Sequence, residues 1–257
     1  MGDKILIEPR IFHVALDYRN IELYNKLLGD VDETKMKNNE KLKIIRRLHY
    51  RYGASDKYTL ELYIKSIDTL KPNLNRTVYR ETLLTNLVKH MDDLSDMRLV
   101  SFFNYLIARP DVDISKPNYD GFPILQNLFT DLWSHDKLVT KLPIIRKLLD
   151  KGATWNYEKK NTKQNALQYM VKHGTYTENY DEHIKYLITN TDIDMDHKDA
   201  DDKTVLELAE ERIVQEKKAY ETAKNNNVTR WYTPTEKNIK KAEEIFELIK
   251  VRVIGGL

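Results

Sequence analysis

Apolar residues recur three and four positions apart through most of the chain, the spacing that gathers them on one face of an α-helix. Leu42, Ile45, Leu48 and Tyr52 share such a face in residues 40–52, and Leu60, Tyr63, Ile64 and Ile67 do so in 58–70. Shorter runs of the same kind predict helices over 11–16, 21–28, 79–90, 95–108, 122–133, 143–150, 164–172 and 181–190. Pro143 suits the first turn of its helix, where no amide donor is lost. The last stretch has a different scale. Residues 204–224 read as one long helix, Asn225-Asn226-Asn227 breaks it, and 234–253 form another, with Ile239, Ala242, Ile245, Phe246 and Ile249 on one side. No alternating strand pattern of comparable strength competes, so an all-α chain is expected.

The helix ends repeat. In Leu148-Leu149-Asp150-Lys151-Gly152-Ala153-Thr154-Trp155-Asn156-Tyr157 an apolar run stops at a Gly-Ala turn. Glycine suits that place because it takes the left-handed conformation without a Cβ clash. Altered copies are Arg47-Leu48-His49-Tyr50-Arg51-Tyr52-Gly53-Ala54-Ser55, Tyr105-Leu106-Ile107-Ala108-Arg109-Pro110-Asp111-Val112-Asp113 and Tyr186-Leu187-Ile188-Thr189-Asn190-Thr191-Asp192-Ile193-Asp194. A polar turn then leads into a short helix at Asn118-Tyr119-Asp120-Gly121-Phe122-Pro123-Ile124-Leu125, at Asn161-Thr162-Lys163-Gln164-Asn165-Ala166-Leu167 and at Asp201-Asp202-Lys203-Thr204-Val205-Leu206. The later boundaries recur about every 40 residues, while the first two stand further apart, so the early unit is expected to carry an insertion or to be degenerate. Such a period is the mark of a solenoid, in which each unit buries its apolar face only against its neighbours.

This alternation of an Asp-Gly or Asp-Lys turn, a Pro-Ile-Leu or Thr-Val-Leu helix start, a second helix ending in Leu-Leu or Leu-Ile, and Gly-Ala-Thr-Trp-Asn resembles the ankyrin repeat, most clearly over residues 81–209. The resemblance implies an ankyrin-like helical repeat solenoid. Its parts would be divergent N-terminal helices over 1–75, ankyrin-like repeats over 76–203 and a C-terminal capping helical hairpin over 204–257. It also implies that turns and first helices line a concave surface and second helices the back. The histidine usual after the Pro-Leu pair is Gln126, Gln168 or Glu207 here, a departure that bears on the side-chain bond tying neighbouring turns.

Composition narrows the classes of function. Charged residues make up 32% of the chain yet the net charge is only +2, which argues against a strongly polyanionic partner. There is no cysteine, so disulfides, thiolate nucleophiles and cysteine-based metal sites are excluded together, in keeping with a reducing cytoplasm. No apolar run is long enough to span a bilayer, and the chain does not open on a leader-like segment, so a soluble, cytoplasmic protein with no membrane partner is expected. Abundant Lys, Asn, Asp, Tyr and Ile is the usage of an AT-rich genome. A virus, a phage or an intracellular bacterium would use it, and the setting would then be a host cytoplasm and a host partner.

Catalytic chemistry finds little support. Asp192, Asp194 and Asp196 imitate the start of a calcium loop, but His197 stands where glycine is needed and Lys203 where a bidentate glutamate would close the site. A solvated acidic turn is the expected reading. With only eight glycines there is no phosphate-cradling loop, and no Gly-x-Ser-x-Gly turn presents a nucleophile. No enzyme, metal or cofactor is therefore expected, and the leading reading is a protein-protein interaction module. Its contacts are expected at the turns, namely Asn118, Tyr119 and Asp120, then Trp155, Tyr157, Lys159 and Lys160, then His197 and Lys198. For Trp155 the competing reading is packing between turns. Trp133 and His135, and Arg230, Trp231 and Tyr232, are alternative contacts. The second function class is nucleic-acid binding through the basic helix of residues 35–51, where Lys35, Lys37, Lys41, Lys43, Arg46, Arg47 and Arg51 alternate with His49, Tyr50 and Tyr52. A solvated helix face is the bland alternative there.

Overall fold

The computed structural model describes residues 4–52, 59–91, 97–130, 135–173, 180–226 and 235–255. Among them all regular structure is helical, apart from two isolated β-bridges. The chain divides into two compact units, Met1–Asp120 with Pro143–Gly152, and Gly121–Leu142 with Ala153–Leu257.

The first unit contains α1 (Pro9–Asp17), α2 (Ile21–Asp30), a 3-10 turn (Glu33–Lys35), α3 (Asn38–Tyr52), α4 (Thr59–Leu70), α5 (Leu83–His90), α6 (Met97–Ala108) and the end of a later helix. Pro9 opens α1 where its missing amide costs nothing, and the Asn20 side chain accepts the Leu23 amide at the start of α2 (2.9 Å). The apolar faces meet in a core of Phe12, Leu16, Tyr24, Leu28, Ile44, Ile45, Leu48, Tyr63, Phe102 and Phe103, all buried. Tyr63 stacks on Phe102 at 4.0 Å, and Phe12 meets Tyr24 edge-on at 5.7 Å. The Tyr24 hydroxyl shares a hydrogen bond with Ser66 (2.8 Å), so that buried polar end is satisfied.

The second unit contains α7 (Ile124–Thr130), the start of α8 (His135–Asp150), α9 (Ala166–His173), α10 (Tyr180–Asn190), α11 (Val205–Asn226) and α12 (Glu236–Gly255). Here α11 packs along α12, α11 against α9, and α12 against α10. Ala242, Ile245 and Ile249 are the buried face of α12, while Lys241 pairs with Asp181 of α10 (2.5 Å) and Arg252 donates to the Thr191 carbonyl (3.1 Å). In this unit the long final pair thus packs on α9 and α10.

Two helix starts differ from the pattern. α5 begins at Leu83, not near Tyr79, because Thr82 caps it by accepting the Thr85 amide (3.1 Å) and the residues before it form a turn. α8 begins at His135 and carries Pro143 inside, so the proline is not in a first turn.

The joint between helix pairs has one construction throughout. Thr154 accepts the Asn156 amide (3.1 Å), and the same bond to the amide two residues on is made by Asp32, Asn73, Asp113 and Asp194. The joint before Asp113 is therefore Lys71-Pro72-Asn73-Leu74-Asn75, which the sequence reading passed over, and joints recur about every 40 residues without an early gap. Gly53 and Ala54 lie outside the described residues. Asparagines clamp one joint to the next. Asn75 donates to the Asp111 carbonyl (2.8 Å) and accepts the Asp113 amide (2.7 Å), and Asn156 does the same with Asp192 (3.2 Å) and Asp194 (2.7 Å). In both cases the reach along the chain is 36 and 38 residues.

Candidate functional site

The polar turns before the short helices are hairpins, and their tips carry most of the residues expected to meet a partner. In the second unit Trp155 does not. It is 2% exposed, and its carbonyl accepts the Ala166 amide at the start of α9 (3.5 Å). An aromatic ring at the first apolar position after a Gly-Ala turn goes inward with Leu74, its counterpart in the earlier joint, which is also buried. Tyr157 is half-buried and Lys160 exposed. Lys159 is held within its own unit, its ammonium 4.4 Å from the centre of the Phe122 ring and 4.8 Å from that of Tyr169. Tyr169 in turn packs on His173, whose pKa is lowered by burial first and then by the charges of Lys172 and Lys159.

The next hairpin is built around Asp199. Its buried carboxylate accepts the amides of Asp201 (2.9 Å) and Lys203 (3.1 Å) and the Gln164 side chain (3.1 Å). Burial alone would push that carboxyl up, but these bonds and the Lys172 charge outweigh it and the pKa is lowered. His197 uses Nε2 to donate to the Lys163 carbonyl (2.6 Å), which fixes its tautomer, and Lys198 pairs with Asp202 (3.2 Å) at the surface. Gln168 supplies the tie that the sequence left open. Its side-chain amide donates to the carbonyls of His197 (2.8 Å) and Lys203 (2.9 Å), both in the following hairpin. Glu207 instead closes a capping box with Thr204 (2.7 Å), and the buried Gln126 side chain has no hydrogen bond among the described residues.

In the first unit Asn118 is buried and turns inward to accept the Asp120 amide (3.0 Å). Tyr119 is 73% exposed, its amide bonded to the Arg80 carbonyl (2.8 Å) and its ring under the Arg80 guanidinium at 5.5 Å. Asp120 pairs with the same guanidinium.

The residues that sequence reasoning missed are Tyr79 and Arg80. Val78 and Glu81 exchange both backbone bonds (2.9 and 3.3 Å), leaving a two-residue turn in which Tyr79 has φ 52° and Arg80 φ 73°. Two positive φ values in succession are the requirement of a type I′ turn, which Asn-Gly meets without strain. A tyrosine and an arginine there cost about 1–2 kcal/mol each. Tyr79 is 69% exposed, with Lys43 at 5.5 Å and Arg46 at 5.4 Å from its ring centre. The available signal was Thr82-Leu83-Leu84, which matches the other helix starts and places a turn before it.

The basic helix is less open than its composition suggests. Arg46 is buried, bonded to the Val78 carbonyl and paired with Glu81 (3.4 Å). Arg47 makes a two-pronged pair with Asp17 (2.9 and 2.6 Å), and Lys35 pairs with Asp32 (3.1 Å). The side chains of His49, Tyr50, Arg51 and Tyr52 lie outside the described residues, as do Trp133, Arg230, Trp231 and Tyr232 and the side chain of His135. Among the described residues no three His, Asp or Glu side chains are grouped to hold a metal ion, and Asp194, of the calcium-like run, is spent on the joint. No described helix is long and apolar enough to cross a membrane.

No family model matches the chain, and no curated protein matches it. A solved structure does. The crystal structure of EF0377, an ankyrin repeat protein, superposes with a TM-score of 0.52 at 15% identity, covering 95% of this chain and 98% of the other. The chain has an ankyrin-like repeat fold.

Proposed function

We propose that the chain is a non-enzymatic scaffold that binds another protein through its hairpin tips. The observation that carries this is the contrast within each hairpin. The base is fixed by buried or backbone bonds, at Asn118, Asp199 and Gln168, while Tyr119, Lys160 and Lys198 stand exposed at the edge. Because the base is already fixed, binding orders only the tip side chains, and tyrosine is among the residues that dominate binding energies at interfaces. Likeness to a repeat protein supports the same reading. The contact set is then Tyr119 in one unit and Tyr157, Lys160 and Lys198 in the other, Asp120 being engaged by Arg80.

Nucleic-acid binding through residues 35–51 is the second reading, and the geometry favours it less. Arg46 and Arg47 would have to leave Glu81 and Asp17 to reach phosphates. A pull-down with the intact chain and with Tyr157→Ala/Lys160→Ala/Lys198→Ala tests the scaffold reading. The triple variant is expected to lose the recovered protein. Equal recovery by both refutes a tip-borne interface, and tight, steeply salt-dependent polynucleotide binding with no protein recovered replaces it with the second reading.

A further inference from the structure

Among the described residues, the one place where the backbone is forced into two successive unfavourable conformations also carries exposed tyrosine rings with cations over them. Tyr79 and Arg80 make the turn, Lys43 and Arg46 lie over the Tyr79 ring, and Arg80 lies over the Tyr119 ring. Asn-Gly would make the same turn freely, so the fold does not need these two side chains to close it. Strain held at an exposed turn points to what the turn presents.

We propose that the turn formed by Tyr79 and Arg80, flanked by Lys43 and Tyr119, is a docking site for an acidic segment of a partner protein, one of whose carboxylates takes the place of Asp120 on Arg80. The proposal rests on the scaffold reading and names the chemistry of its partner. Asp120 already shows the geometry, since the Arg80 guanidinium holds a carboxylate in this structure while most of its own surface is open. Lys43 forms no ion pair among the described residues and stands over Tyr79 as a second cation. Glu81, the other nearby carboxylate, is turned inward to Arg46, Asn86 and Lys89, so it does not repel an incoming acid. A nucleic acid fits less well. Both exposed tyrosine rings carry a cation over them, so a base would have to displace that cation to stack on the same face.

The test uses the full chain and a fluorescein-labelled glutamate-tyrosine copolymer, followed by anisotropy. Tyr79→Asn/Arg80→Gly is expected to weaken binding at least tenfold while melting no lower than the parent, because the turn is relaxed. Asp120→Asn is expected to tighten binding several-fold, because it removes the internal competitor from Arg80. Lys43→Met is expected to weaken it. Absence of saturable binding, binding indifferent to the double variant, weaker or unchanged binding with Asp120→Asn, or an oligothymidylate that displaces the copolymer at lower concentration each overturns the proposal. Should the double variant melt lower, Asp120→Asn decides alone, since it leaves the turn intact. Failure here does not touch the scaffold reading, whose own test uses Tyr157, Lys160 and Lys198 and leaves this tip unchanged.

Discussion

Arg80, Gly121, Lys163 and Asp202 stand two residues ahead of Thr82, Pro123, Asn165 and Thr204, the residues that lead into four helices, and all four take positive φ, at 73°, 81°, 51° and 61°. Only one of them is the residue type that does so without cost. A methyl group on Gly121 would meet the Lys159 Cγ at 3.7 Å and the Lys160 amide nitrogen at 4.0 Å, both ordinary contacts, so the cost of Gly121→Ala is conformational and should be about 1 kcal/mol in urea unfolding. Lys163→Gly should move the other way by a few tenths of a kcal/mol, roughly 1–2 kcal/mol of strain relieved less the extra freedom of an unfolded glycine. Asp202→Gly should gain less, because aspartate tolerates the left-handed region better than lysine. His173 supplies a pH effect of known sign. Its pKa is lowered below 6.5 in the folded chain, so the folded state resists its protonation. Stability linked to it is full above 6.5 and is lost as pH falls below that value through the depressed folded one. A ¹H NMR titration should place its midpoint below 6.5, and Lys159→Gln should raise it only in part, since burial is the leading cause.

Helix pairs are joined by polar side chains that act as backbone substitutes, and these set the cost of breaking a joint. Asn75 and Asn156 each make two bonds to the following joint with the same reach along the chain. Each →Ala change should therefore cost a similar amount, roughly 2 kcal/mol at about 1 kcal/mol per bond, and each →Asp change should keep the accepted bond and lose the donated one. Asp199→Ala is expected to cost more, because it takes the acceptor from the buried Gln164 amide, at roughly 1–3 kcal/mol, and from two part-buried backbone amides besides. Thermal melts of the three variants check this order. These bonds also explain what could and could not be read in the chain. Apolar periodicity depends on local spacing and placed nearly every helix. The joint at Asn73 and Asn75 carries no Gly-Ala pair, so its signal was one of hydrogen-bonding capacity, which several residue types share. The tie at Gln168 is open in the sequence for the same reason, since an amide can replace an imidazole as donor to a neighbouring turn. Tyr79 was absorbed into a helix because a bulky residue at positive φ is not something composition announces.

Among the described residues the long-range side-chain ties run from one helix pair to its neighbour, the longest from Arg252 to the Thr191 carbonyl across 61 residues. Bonds from one helix pair to the next span 35 residues between Gln164 and Asp199, 38 between Asn156 and Asp194, 40 between Arg80 and Asp120 and 43 between Asn104 and Lys147. A structure tied in this way is stabilised pair by pair, so damage should spread to neighbours before it spreads further. Exposed tips can then vary in side chain without disturbing the joints, and it is why the strained turn at Tyr79 can persist beside a well-packed core. Hydrogen exchange followed by mass spectrometry gives the measurement. Asn156→Ala, at a dose of denaturant too low to unfold the parent, should speed exchange in α9, α10 and the start of α11, which surround the broken joint. It should leave α1, α3 and α4 near their parental rates. Uniform acceleration over all described helices would mean that the chain opens as one cooperative block, and the nearest-neighbour account of its stability would then fail.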